Sequence, residues 1–131
     1  MASIFTRIIQ GEIPCYKCAE NDKFFAFLDI NPVQKGHTLV IPKKEIDYLF
    51  DISDEDLGEM MVFAKKVAQA IKASIPCQKV GVTVIGLEVR HAHIHLLPMQ
   101  KEGDMDFSKK TTFPDDVMKA TAEEIQKNFN A

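Results

Sequence analysis

The chain has 131 residues, 46% hydrophobic and 27% charged, with a formal net charge of -3. That size suits one domain, spanning 1–131, able to bury a core without disulfide staples. The acidic balance excludes general nucleic-acid binding, which needs a basic face against phosphates, but leaves room for a small phosphate ligand in a local pocket. No apolar run approaches the roughly 20 residues of a membrane span, and Met1 to Gln10 lacks the basic and apolar regions of a secretory signal. The three cysteines, Cys15, Cys18 and Cys77, are odd in number, and a reducing cytoplasm is the expected compartment.

In chain order, Ile4 to Ile9 is a short amphipathic segment of one or two helical turns ending at Gly11. Cys15 to Glu20 reads as a short strand and Asn21-Asp22 as a turn. Lys23 to Ile30 is aromatic and apolar, a strand closed by Asn31-Pro32. Gly36 opens a strand over His37 to Ile41, which Pro42 ends. Ser53 and Asp56 resemble a capping box before a long helix, whose Leu57, Met60, Met61, Ala64, Val67, Ala68 and Ile71 recur at spacings of three and four. Lys79 to Ile85 is a β-branched strand broken by Gly86, and His91 to Met99 is another. Pro114 with Asp115-Asp116 starts a last helix, with Val117, Met118, Thr121, Ile125 and Phe129 as its apolar stripe. The expected class is α+β, with a mainly antiparallel sheet, one long helix and a C-terminal helix.

Three of the four histidines lie within five residues, as His91-Ala92-His93-Ile94-His95. On a strand, alternate side chains share a face, so the three imidazoles project together while Ala92, Ile94 and Leu96 turn inward. Two chemistries fit. Such a set can bind a transition metal. Alternatively, one imidazole attacks phosphorus while its neighbours donate hydrogen bonds, a use suited to a side chain that titrates near neutrality. Periodicity does not choose between them.

His91 to Leu97 matches the pattern His-φ-His-φ-His-φ-φ, with φ apolar. With it come Gly11-Glu12-Ile13-Pro14, Phe27-Leu28-Asp29-Ile30-Asn31-Pro32 and Gly36-His37-Thr38-Leu39-Val40-Ile41-Pro42-Lys43. In order and spacing these segments resemble the histidine-triad (HIT) family of nucleotide hydrolases related to nucleoside phosphoramidases, from about Ile4 to Pro98. The resemblance implies an HIT-like fold, a purine nucleotide ligand, no cofactor and a homodimer formed through the long helix and a strand. Val62 and Phe63, off the helix's main stripe, are consistent with that second contact. His93 would attack the α-phosphate and become a nucleotidyl-histidine, with His91 and His95 orienting it and contacting phosphate or leaving group, and His37 supporting the site. Asp29 would accept from the ribose hydroxyls, as a carboxylate only accepts. Phe5, Ile8, Phe27 and Ile30 would wall the base pocket. For these four residues, core packing is the alternative, and for Asp29 a turn cap.

The chain departs from the family twice. Many members hold zinc with a Cys-x-x-Cys pair near the N-terminus and a histidine after the Pro-Lys motif. Here those positions are Ser3, Thr6 and Glu45, so no metal is expected, and Cys15-x-x-Cys18, split between two strand faces, reads as packing. The polar stretch that precedes the triad in relatives is shortened, with Leu87 and Glu88 where Gln and Ser/Thr are usual. Glu88 would repel a phosphate unless turned away, and Arg90 either offsets it or forms a solvated pair with it. This leaves a nucleotide-binding adaptor with little turnover as the alternative to an enzyme, beside a His-cluster metal protein. The loop Lys101 to Lys110 is polar, and whether it covers a site or a partner stays open.

Overall fold

The computed structural model describes residues 2–130. Three α-helices, α1 (Ile4–Ile9), α2 (Asp54–Ser74) and α3 (Asp115–Asn128), accompany five strands. The strands are β1 (Lys17–Glu20), β2 (Phe24–Leu28), β3 (Thr38–Pro42), β4 (Lys79–Thr83) and β5 (Ile94–Met99). They form one sheet in the order β1-β2-β3-β5-β4, every neighbouring pair antiparallel. The fold is α+β, as expected.

Alternation along the strands divides the apolar residues between two cores. Phe24, Ala26, Leu28, Val40, Ile94 and Leu96 face α2 and α3. Phe25, Phe27, Leu39 and Ile41 face the other way, against Phe5 of α1 with Ile8 and Ile9 beside it. β2 is therefore buried along its whole length, which is why its sequence reads Phe-Phe-Ala-Phe-Leu rather than alternating with polar residues. Helix α2 starts where expected. Ser53 Oγ accepts from the Asp56 N–H at 3.2 Å, and Asp54, Glu55 and Asp56 complement the N-terminal dipole. Met60, Phe63, Ala64, Val67, Ala70 and Ile71 are its buried face. Phe63 lies against Phe24 and Phe129 in this chain's own core, so of the two residues off the stripe only Val62 is left exposed.

One element differs in a way that matters for the site. The strand expected over His91 to Met99 begins at Ile94. The Ala92 N–H is turned aside to the Ile46 carbonyl at 2.7 Å, outside the sheet, so His91 and His93 lie on an irregular approach and only His95 is a strand residue. Cys15 and Cys18 do fall on opposite sides, in the α1-side and α2-side cores. Burial pushes both thiols up, Cys18 to about 12, which suits packing rather than thiolate chemistry.

Candidate active site

The site assembles at the ends of three strands, on the α1 face. The end of β2 delivers Asp29, the approach to β3 delivers His37, and the start of β5 delivers His93 and His95. The register places Leu28 beside Thr38, and Leu39 beside His95. All four histidines are buried, His37 and His91 completely, His93 and His95 at 7% and 8% exposure. The His93 and His95 rings meet edge to face with centroids 4.9 Å apart. Phe5 of α1 sets its ring 5.1 Å from His93, 5.8 Å from His91 and 5.4 Å from Phe27. Ile8 is half-buried beside it, while Ile30 is 64% exposed.

Hydrogen-bond partners assign the proton on every ring, because a backbone N–H only donates and a carbonyl only accepts. His37 Nδ1 takes the Val33 N–H at 3.1 Å. Its proton is therefore on Nε2, which donates to His95 Nδ1 at 2.9 Å. His95 in turn carries its proton on Nε2. His91 Nε2 donates to the Pro42 carbonyl at 2.7 Å, leaving Nδ1 to accept from the Ser3 hydroxyl at 2.8 Å. His93 Nδ1 donates to the His91 carbonyl at 2.7 Å. Its Nε2 lone pair has no hydrogen-bond partner among the described residues. Burial keeps the supporting rings neutral: His37 is lowered to about 4 and His95 to about 3, with the Lys110 charge acting in the same direction. His91 is lowered by burial too, partly offset by the Pro42 carbonyl and Glu45.

Asp29 does two things at once. One oxygen accepts from the Asn31 N–H at 2.9 Å, the turn cap weighed from sequence, while the other lies 3.7 Å from His37 Nε2. Asp29, His37 and His95 bring three ligand-type atoms within 4.8 Å. They suit a metal poorly. His37 Nε2 presents its proton, and His95 Nδ1 is already accepting it, so neither ring offers a lone pair to the cluster.

Ser3, Thr6 and Glu45 come together on the far side of His91. Glu45 Oε1 accepts from the Ser3 N–H and the Thr6 hydroxyl, both at 2.6 Å, which holds its carboxyl down at about 2. Ser3 Oγ also caps α1 by accepting the Thr6 N–H at 3.0 Å. Two hydroxyls and a carboxylate occupied with one another do not fit a zinc site, whose ligands are thiolate and imidazole; here hydrogen bonds join α1 to the triad. Arg90 pairs with Asp47 at 3.1 Å in solvent, not with Glu88. Glu88 is exposed beside Ser3, Ile4 and Glu45.

Sequence reasoning missed one neighbour. Phe107, from the polar loop after β5, sets its ring 4.8 Å from His95 and 5.8 Å from His37. An aromatic residue alone in Lys-Glu-Gly-Asp-Met-Asp-Phe-Ser-Lys-Lys was the available signal. A groove of about 850 Å³ lined by Phe24, Val62, Phe63 and Phe129 opens on the α2 side instead, and no histidine lines it.

The HIT domain family matches residues 10–102. The chain belongs to the HIT family. An adenosine 5'-monophosphoramidase of Saccharomyces cerevisiae is 43% identical over 103 residues, covering 77% of this chain and 65% of the yeast protein. A HIT-like protein from Bartonella henselae superposes with a TM-score of 0.86 at 30% identity, over 97% of this chain and 96% of that one. A histidine triad nucleotide-binding protein from Sulfolobus tokodaii gives a TM-score of 0.81 at 27% identity, covering 95% and 89%. The family match ends at residue 102, so the Phe107 loop and α3 lie outside it.

Proposed function

We propose that this HIT protein binds a purine nucleotide against the α1 face of the sheet and acts at its α-phosphorus through a covalent nucleotidyl-histidine on His93. The orientation of His93 carries this reading. With Nδ1–H held on the His91 carbonyl at 2.7 Å, only Nε2 is available as nucleophile. Attack forms the N–P bond, and the leaving group departs with the electron pair of the bond it loses. The ring becomes a cation in the adduct, and the same carbonyl stabilises its Nδ1–H. Water then attacks phosphorus and loses a proton to solvent, and the N–P bond breaks with its electron pair returning to Nε2. His95 offers Nε2–H to a phosphate oxygen or the leaving group, and His37 holds it in that tautomer. The Asp29 oxygen not engaged by Asn31 accepts from a ribose hydroxyl. Phe5, Ile8 and Phe27 line the base pocket, with Ile30 at its rim.

Two wider expectations accompany this reading. None of the helices among the described residues is long and apolar enough to cross a membrane, and we place the protein in the cytoplasm. We also propose a homodimer. β4 is a sheet edge, with exposed Val82, Val84 and Ile85 along and beyond it, a surface suited to pairing with a second copy.

The deciding experiment is adduct trapping. Wild type incubated with adenosine phosphoramidate or a dinucleoside polyphosphate, then quenched in alkali, gains the mass of one nucleotidyl group on the peptide carrying His93. His93→Ala binds AMP but gains none. Wild type that binds AMP and never forms an adduct is an adaptor rather than an enzyme.

A further inference from the structure

The residues assigned so far leave the phosphate without a cation. The supporting imidazoles are neutral, and Asp29 adds a negative charge to a site that must receive another. Three cations are committed elsewhere: Arg90 to Asp47 at 3.1 Å, Lys43 to Glu20 at 2.7 Å, and Lys109 toward Asp106 at 3.8 Å. The loop after β5 offers a different source, and it is tied down at each end. Asp104 accepts from the Gln100 N–H at 2.8 Å and the Lys101 N–H at 3.2 Å, and takes the Gln34 amide at 3.4 Å. The Asp106 carboxylate accepts from the Ser108 N–H at 3.0 Å and its hydroxyl at 2.6 Å, setting the turn that aims Phe107 at His95. The Thr111 N–H donates to the Pro32 carbonyl at 2.9 Å, beside the Asp29 turn. Lys110 is therefore held between an anchor on the triad and an anchor on the ribose-side turn. It is exposed and forms no ion pair among the described residues. Its charge acts on both His37 and His95.

We propose that residues 106–111 form a wall of the nucleotide site, Phe107 being its anchor on His95 and His37 and Lys110 the cation that meets the ligand's phosphate oxygens. This rests on the nucleotide reading above. It also supplies the polar contact that Leu87 and Glu88 cannot make. An ammonium held near the site but still solvated can turn to a phosphate at little desolvation cost, and its charge-assisted hydrogen bond is directed at phosphate, not at base or ribose.

The test compares AMP with adenosine in binding titrations of the full chain. Wild type should bind AMP more tightly. Lys110→Gln should weaken AMP binding about tenfold, the worth of one hydrogen bond to a charged group, and leave adenosine unchanged. Lys110→Arg should retain the preference, and Phe107→Ala, which keeps the lysine but frees its anchor, should reduce it. If wild type prefers AMP and Lys110→Gln keeps the full preference, the wall is wrong and the nucleotide reading stands. If wild type binds AMP no better than adenosine, the nucleotide reading fails and takes this inference with it.

Discussion

Lowering the pH from 7 to 5 should destabilise this protein strongly, and through its site histidines. His37 and His95 are buried, hydrogen-bonded to each other at 2.9 Å, and lowered to about 4 and about 3. In the unfolded chain both titrate near the ordinary value of about 6.5. Between the two sets of values the unfolded state binds more protons than the native one, so stability rises with pH and falls on acidification. The loss starts as the pH drops through the unfolded value and levels off only below the folded ones. Each histidine then costs about 2 kcal/mol between pH 7 and pH 5, a figure insensitive to the folded pKa once that lies below the assay pH. Together they remove about 4 kcal/mol, a large share of the 5–15 kcal/mol typical of a whole domain. His91, lowered by burial, adds to the loss in the same direction, while carboxylates held low, such as Glu45, contribute only as the pH falls below their unfolded values near 4. Urea unfolding at pH 7, 6, 5.5 and 5 measures the slope. His37→Gln keeps a donor toward His95 but does not titrate; it should lower stability at pH 7 by about 1–3 kcal/mol, since the Val33 N–H loses its acceptor, and make the acid slope shallower by that one histidine's share. A free energy of unfolding that is flat from pH 7 to pH 5 would refute the neutral, buried pairing of these two rings.

Two further outcomes follow from the same geometry. Asp29→Ala should weaken AMP about 10-fold or more while scarcely changing binding of 2',3'-dideoxy-AMP, because only the diol uses the free carboxylate oxygen; equal losses for both ligands in parallel titrations would leave Asp29 as a turn cap alone. Ser3→Ala removes the α1 cap and the donor to His91 Nδ1 together, so it should cost about 1–3 kcal/mol in thermal unfolding, with Phe5 and hence nucleotide affinity loosened alongside. Unchanged melting and unchanged AMP affinity would show that α1 is not held through His91.

Much of the architecture was legible in the residues. Ser53 with Asp56 marked the start of α2, the unbroken apolar run of β2 marked a strand covered on both faces, and Cys15 and Cys18 were separated by strand alternation. Those features depend on neighbours a few residues apart, where backbone geometry and side-chain chemistry act locally. The motif order from Gly11 to Leu97 likewise pointed to the HIT family. What alternation could not supply was the environment of each imidazole. It put three rings on one strand, whereas β5 begins at Ile94, and His91 turns to Ser3 and Pro42, which are 88 and 49 residues away in the chain. The partner of Arg90, the burial of Phe63 and the approach of Phe107 to His95 were also settled by tertiary contacts. The sequence by itself named the three triad histidines, His37 and Asp29 as candidates and did not name Phe107. The tertiary structure decided which nitrogen of each ring carries its proton, because a tautomer is chosen by the donor or acceptor facing it: the Val33 N–H and the His91 carbonyl are near in the chain, while Ser3, Pro42 and the His37–His95 pairing come from 49 or more residues away.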